Sequence, residues 1–322
     1  MSTRLMWPEQ LAYLFPKRIW QALSQCPAAI LGQMEEIRLR AQKPLMVQYA
    51  GKDAFISTLG DVHRVPTAPV ILTIEEVQQA FEAACEHSLY AYEEEIRQGF
   101  ITVKGGYRIG ISGKVHVKAG EIISFPYCTG LCIRIMRELP GCANDVLAFV
   151  IEGERVYTSL IVSPPMMGKT TLLRDLARQI SNGVYGSGGK RVCVVDERSE
   201  LAGAVGGLAQ LDIGLRTDLL DACPKSRGMM MALRALSPQV LVTDELGGEE
   251  DASAVREACF AGVKVLASAH GESERELAGR TGLQTLLTQK AFERVLILGK
   301  QPGQLQRVLN GELQPIWERV RA

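Results

Sequence analysis

The second half of the chain alternates two hydrophobic rhythms. Short apolar runs at 157–162, 191–195, 240–243, 264–267 and 294–298 read as strands buried on both faces. After the first of them, Leu172, Leu173, Leu176, Ala177 and Ile180 recur at helical spacing up to the stop signal Asn182-Gly183. Helices are also predicted near 226–236 and over 250–261, and Gly186-Ser187-Gly188-Gly189 makes a connection. This succession predicts a parallel sheet with helices on both faces. The chain closes on a β-hairpin, 305–309 and 313–317, around Asn310-Gly311.

The first half is patterned differently. Alternation at 35–40 predicts a strand with a partner at 44–49, and further short strands are predicted at 100–103, 107–111, 114–117 and 131–136, separated by turns at Gly105-Gly106 and Ala119-Gly120. Thr73-Ile74-Glu75-Glu76 is a capping box that opens a helix with Val77, Ala80, Phe81 and Ala84 on one face; a second helix is expected over 90–98. The chain therefore divides into a smaller α+β domain over residues 1–150, with an antiparallel sheet, and an α/β domain over residues 151–322.

At 322 residues and 47% hydrophobic content, the chain is long and apolar enough for two cores. Lys+Arg 36 against Asp+Glu 36 leaves no net field to draw nucleic acid or an anionic membrane. No apolar run approaches the ~20 residues of a membrane-spanning helix, and Arg4, Trp7, Pro8 and Glu9 interrupt any signal-peptide core, so a cytosolic protein without direct membrane insertion is expected. Eight scattered cysteines without a Cys-x-x-Cys read as reduced thiols.

Chemistry enters at Ser163-Pro164-Pro165-Met166-Met167-Gly168-Lys169-Thr170-Thr171, between an apolar strand and a helix. It meets the phosphate-loop pattern G-x-x-x-x-G-K-[ST] at every fixed position but the first, where Ser163 stands for glycine. Such a loop turns backbone N–H groups toward phosphate oxygens, and Gly168 admits the close approach. Lys169 would reach the terminal phosphates of ATP, and Thr170 would place its hydroxyl on Mg²⁺. The alternative is a plain turn before an amphipathic helix.

Three more strand ends carry candidates, and in a parallel sheet they share the loop's edge. The run 240–243 ends in Asp244-Glu245: Asp244 is the expected Mg²⁺ carboxylate, and Glu245 the group that orients and partly deprotonates water. Asp196 and Glu197 end another strand and are candidates for water or metal, or simply a solvated end. His270 follows a third strand and is either a contact to the γ-phosphate or structural. A transition-state cation would come from Arg134, Arg137, Arg198, Arg216 or Arg234, and spacing does not choose among them.

The run from Asp212-Ile213-Gly214-Leu215-Arg216-Thr217 to Cys223-Pro224-Lys225, with Arg234-Ala235-Leu236-Ser237-Pro238 and Val195-Asp196-Glu197-Arg198-Ser199-Glu200, resembles the stage III sporulation protein AA family. So do Glu36-Ile37-Arg38-Leu39-Arg40, Ser88-Leu89-Tyr90-Ala91-Tyr92 and Gly105-Gly106-Tyr107-Arg108. More distantly, the order of loop, acidic strand ends and Ala269-His270 is similar to the ATPases of type II and type IV secretion and of pilus retraction. The resemblance implies a RecA-like ATPase core behind a smaller domain and a hexameric ring with ATP between protomers; Arg216 is separately a candidate nucleotide contact. It also implies work on a membrane channel of the sporulation apparatus, at the mother-cell face of the forespore membrane. Ser163 and Met166 replace glycines common in these loops, and Tyr107 replaces an expected histidine.

Three functions follow: an ATPase driving a membrane-associated complex, a nucleotide-responsive scaffold with little turnover, and a nucleic-acid-binding ATPase. Net neutrality and the lack of a histidine after Lys300 disfavour the last.

Overall fold

The computed structural model describes residues 9–118, 120–135, 138–183, 188–271, 276, 279, 281–299 and 301–319. The chain forms two compact units, Met1–Arg137 and Glu138–Ala322. The division precedes the one expected near Val150, because the helix at Asn144–Val150 buries Val146, Leu147 and Val150 in the core of the second unit.

In the first unit, β1 (Met34–Arg40), β2 (Met46–Tyr49), β3 (Lys52–Ile56), β4 (Val62–His63), β5 (Phe100–Val103), β6 (Tyr107–Lys118) and β7 (Glu121–Arg134) form one antiparallel sheet, ordered β4-β3-β2-β1-β7-β6-β5. Its helices are α1 (Lys17–Ser24), α2 (Ala28–Leu31), α3 (Ile74–Ala84) and α4 (Glu93–Arg97). Alternation sends Ile37, Leu39, Ile109, Leu131 and Ile133 into a core shared with Val77, Ala80, Phe81 and Ala84 of α3. The capping box closes as expected: Glu76 N donates to Thr73 Oγ1 at 3.2 Å and Thr73 N to Glu76 Oε2 at 2.9 Å. Tyr107, in the place of the expected histidine, is a core residue, 1% exposed. β6 is continuous where two strands were predicted, crossing Gly113 with irregular register. Ala119, Met136 and Arg137, which figured in the expected turn, strand and arginine set, lie outside the described residues, as do Gly186 and Ser187.

The second unit holds α5 (Asn144–Val150), β8 (Ile151–Glu152), β9 (Arg155–Val156), β10 (Ser159–Ser163), α6 (Lys169–Asn182), β11 (Val192–Asp196) and β12 (Thr217–Asp221). It continues with α7 (Lys225–Ala235), β13 (Val240–Thr243), α8 (Glu249–Phe260), β14 (Lys264–His270), α9 (Thr281–Thr288), β15 (Arg294–Leu298), β16 (Leu305–Asn310) and β17 (Pro315–Glu318). The eight-stranded sheet runs β12-β11-β13-β14-β10-β15-β16-β17, parallel through β15 and antiparallel in the closing hairpin. Successive residues of one strand serve opposite cores: Ile161 joins Leu172, Leu176 and Ile180 of α6, whereas Leu160 and Val162 join Met229, Val255 and Leu286 of α7, α8 and α9. Doubly buried strands of this kind read as unbroken apolar runs, and those were the ones the pattern located. β12 lies at the sheet edge, and its sequence, Thr-Asp-Leu-Leu-Asp, carries too little apolar signal to be predicted. All eight cysteines are free; burial pushes Cys26, Cys85 and Cys193 up to about 12, which makes them inert.

Candidate functional site

β10, the loop and α6 form the expected strand-loop-helix. Gly168 adopts φ +82°, and a Cβ there would lie 3.3 Å from Gly303 N, so the position requires glycine on two counts. Gly303 N in turn donates to Met167 O at 2.9 Å, tying the loop to the β15–β16 connection. Met166 takes φ +63° at 88% exposure, in a place that favours glycine. Pro165 is exposed; Pro164, Met167, Gly168, Thr170 and Thr171 are half-buried. Ser163 is fully buried, pairs with His270 in the parallel register, and donates through Oγ to Pro164 O at 2.8 Å.

Lys169 points back over this loop. Nζ donates to Ser163 O and Pro164 O, each at 3.1 Å, and to Ser163 Oγ at 3.3 Å; it lies 3.0 Å from His270 Nδ1. Ser163 thus adds a hydrogen-bond acceptor for the lysine that a glycine would lack. Burial holds the ammonium below its usual range, opposed by the charges of Glu245 and Asp244.

The sheet order inserts β14 between β10 and β13, so the Asp244-Glu245 end stands one strand removed from the loop strand, with His270 between. Glu245 adopts φ +43°, held by a hydrogen bond from its N–H to Ser268 Oγ at 3.0 Å. Its carboxylate meets His270 Nε2 at 3.1 Å through one oxygen and an Arg198 guanidinium nitrogen at 2.8 Å through the other. Asp244 is 4% exposed; burial, reinforced by the Asp196, Glu200 and Glu245 carboxylates and opposed by Lys225, pushes it up to about 6.

The end of β11 is engaged in holding its own turn. Asp196, fully buried, accepts from Glu200 N at 2.9 Å and Ala202 N at 2.8 Å, and burial raises its carboxyl above the usual range. Glu197 forms an ion pair with Lys225. Arg174 of α6 donates to Glu200 O at 2.7 Å and also to Leu201 O. Both oxygens of Asp196 therefore accept from backbone N–H groups of this turn.

The arginines separate clearly. Arg216 lies just before β12, where its backbone O receives Val192 N, and its guanidinium donates to Ser181 O at 2.9 Å at the far end of α6 from Lys169. The structure does not bring it to the sheet edge that carries Lys169, Asp244 and Glu245. Arg234 is exposed on α7. Arg134 lies with Arg38, Arg40 and Arg108 around a cavity of about 450 Å³ on the open face of the first unit's sheet. There Arg108 covers the Phe100 ring at 3.6 Å, and Arg40 Nε is buried without a hydrogen-bond partner. Arg198 alone of the five candidates reaches Glu245 among the described residues.

Sequence reasoning missed Ser268, Gly303 and Lys225. Lys225 did leave a signal: a lysine in the first turn of a helix opposes the helix dipole and implies local acids. The other two sit in unremarkable runs.

The model of the family described as sporulation stage III, protein AA, matches residues 8–314. The chain belongs to this family. Stage III sporulation protein AA of Bacillus subtilis (strain 168) is 37% identical over 294 residues, 91% of this chain and 92% of the relative. Among solved structures, the ATPase DotB of Legionella pneumophila superposes with a TM-score of 0.55 at 14% identity, covering 87% of this chain and 77% of its own. The pilus retraction motor PilT, solved with bound ADP, gives 0.54 at 14% identity, covering 84% and 76%. The family member described here therefore has the α/β fold of secretion and pilus ATPases.

Proposed function

We propose that the chain is a Mg²⁺-dependent ATPase with a RecA-like core that drives a membrane-associated complex during sporulation. The observation that carries this reading is the Asp244-Glu245 strand end beside the Lys169 loop, with His270 touching both Lys169 and Glu245.

The residues divide the work by their chemistry. Loop backbone from Ser163 to Gly168, with Thr171, would receive the phosphates, and Lys169 exchanges its carbonyl partners for phosphate oxygens. Glu245 orients the attacking water and accepts its proton. Among the described residues no group of three His, Cys, Asp or Glu side chains could cage a metal ion. Mg²⁺ is commonly held by one or two protein oxygens, water and substrate phosphates. Thr170 and Asp244 would hold it, and the carboxylates that raise Asp244 are the environment a dication relieves. When bound, the ion would neutralise charge on the phosphates.

The remaining cation would come from a neighbouring protomer in a hexameric ring. Arg134, in the arginine-lined face with an unpaired Arg40 Nε, is suited to an anion. Among the described residues no helix is long and apolar enough to cross a membrane. The chain would act peripherally at the mother-cell face of the forespore membrane, through partners of the sporulation channel and without nucleic acid.

The test is steady-state hydrolysis of MgATP by the purified protein, with its size measured with and without nucleotide. Turnover should fall to background in Lys169→Ala and to a small residual rate in Glu245→Gln, the latter still binding ATP. Equal rates in wild type and Lys169→Ala would overturn the proposal.

A further inference from the structure

We propose that Arg198 is the positioning residue of Glu245, fixing the carboxylate in the orientation from which it acts on water. This rests on the ATPase reading above. The direct observation is the 2.8 Å contact from the Arg198 guanidinium to Glu245 Oε2, opposite the oxygen that faces His270. A carboxylate gripped on both oxygens cannot rotate about its last bond, and orientation is what a water-positioning group contributes most.

Arg198 is 54% exposed and Glu245 35%, and an isolated pair of that kind would be a weak, floppy contact. Here the turn that carries Arg198 is anchored at every neighbouring residue. Asp196 binds two backbone N–H groups of the turn, and Glu197 is paired with the buried Lys225. Ser199, at φ +54°, donates through Oγ to Asp221 Oδ1 at 2.6 Å. Arg174 holds the carbonyls of Glu200 and Leu201 from α6, the helix that begins at Lys169. The acids at the end of β11 thereby gain a purpose: they build a rigid mount for one cation aimed at Glu245. The Glu245 backbone is equally constrained, in the left-handed region with its N–H on Ser268. Arg198 is thus committed within its own protomer, which separates its role from that of a cation supplied by a neighbour.

The experiment compares Arg198→Ala and Arg198→Lys in the wild-type and Glu245→Gln backgrounds, measuring kcat, KM for MgATP and melting temperature. Arg198→Ala should lower kcat by about tenfold to a hundredfold with KM and melting temperature unchanged. Arg198→Lys should recover most of the loss, since a single N–H···O contact is involved. In the Glu245→Gln background the residual rate, read at high enzyme concentration, should not fall further. A raised KM with unchanged kcat would overturn the proposal in favour of a nucleotide contact. An equal loss on top of Glu245→Gln would overturn it by showing that Arg198 acts independently. Wild-type turnover no higher than that of Lys169→Ala would instead remove hydrolysis itself, and the proposal with it.

Discussion

Lys169 Nζ lies 3.0 Å from Nδ1 of His270. A charged lysine ammonium has only donors, its three hydrogens shared among Nδ1, Ser163 O, Ser163 Oγ and Pro164 O, so Nδ1 accepts and the ring N–H of the neutral imidazole is at Nε2, which faces Glu245 Oε1 at 3.1 Å. One contact therefore fixes the tautomer of the ring and connects the phosphate loop to the carboxylate.

Imidazole ¹⁵N spectra should accordingly show His270 as a single Nε2–H tautomer in the wild type. Lys169→Ala removes the donor to Nδ1 and should give a tautomer mixture. MgATP should have the same effect on the wild-type protein, because phosphates draw Lys169 away. A spectrum insensitive to both would mean that the ring orientation is set elsewhere.

Asp244→Asn should separate stability from activity. The folded protein raises this carboxyl from 3.8 to about 6, so it binds the proton more tightly than the unfolded chain does. Its contribution to stability is present below about pH 4 and is lost as pH rises through about 6. At neutral pH the ionised group costs up to about 3 kcal/mol. The asparagine side chain carries no charge, so chemical denaturation at pH 7 should find the variant more stable by about 1–3 kcal/mol, while Mg²⁺-dependent turnover disappears.

Asp196→Ala should behave in the opposite way. It removes the acceptor of the half-buried Glu200 N–H and of the buried Ala202 N–H and loosens the Arg198 turn. A loss of about 2–4 kcal/mol in denaturant unfolding is expected. Unchanged stability with an altered Mg²⁺ requirement would instead favour the metal role that its place at a strand end suggests.

That contrast shows where the sequence was legible. Strands buried on both faces, such as β10 and β13, are read from continuous apolar runs, and their carboxyl ends share one edge in a parallel sheet, so Lys169, Asp244, Glu245 and His270 could be gathered without coordinates. A strand end does not reveal whether its acid faces a ligand or its own turn. Asp196 and Asp244 look alike in sequence; they differ because the N–H groups of Glu200 and Ala202 fold back onto the first alone. The setting of Arg216 was illegible for a related reason: it lies just before an edge strand, β12, whose mixed sequence carries little apolar signal. The partners of Glu245, Arg198 and Ser268, come from separate turns and strands, and no spacing rule relates them.

Gly168 and Gly303 allow two effects at the loop to be told apart. Both have positive φ, +82° and +73°, so alanine at either should cost about 1 kcal/mol of backbone strain. Only at Gly168 would the new Cβ also meet a neighbour, Gly303 N at 3.3 Å; around Gly303 a Cβ has nothing within 4 Å. Gly168→Ala must therefore push the β15–β16 connection away, weakening the hydrogen bond from Gly303 N to Met167 O that holds the loop. ATP affinity, read with a fluorescent analogue, should drop by about tenfold in Gly168→Ala and by less than about threefold in Gly303→Ala, with similar melting temperatures for the two. Equal losses of affinity would assign the effect to strain alone and leave the β15–β16 connection with no part in shaping the phosphate loop.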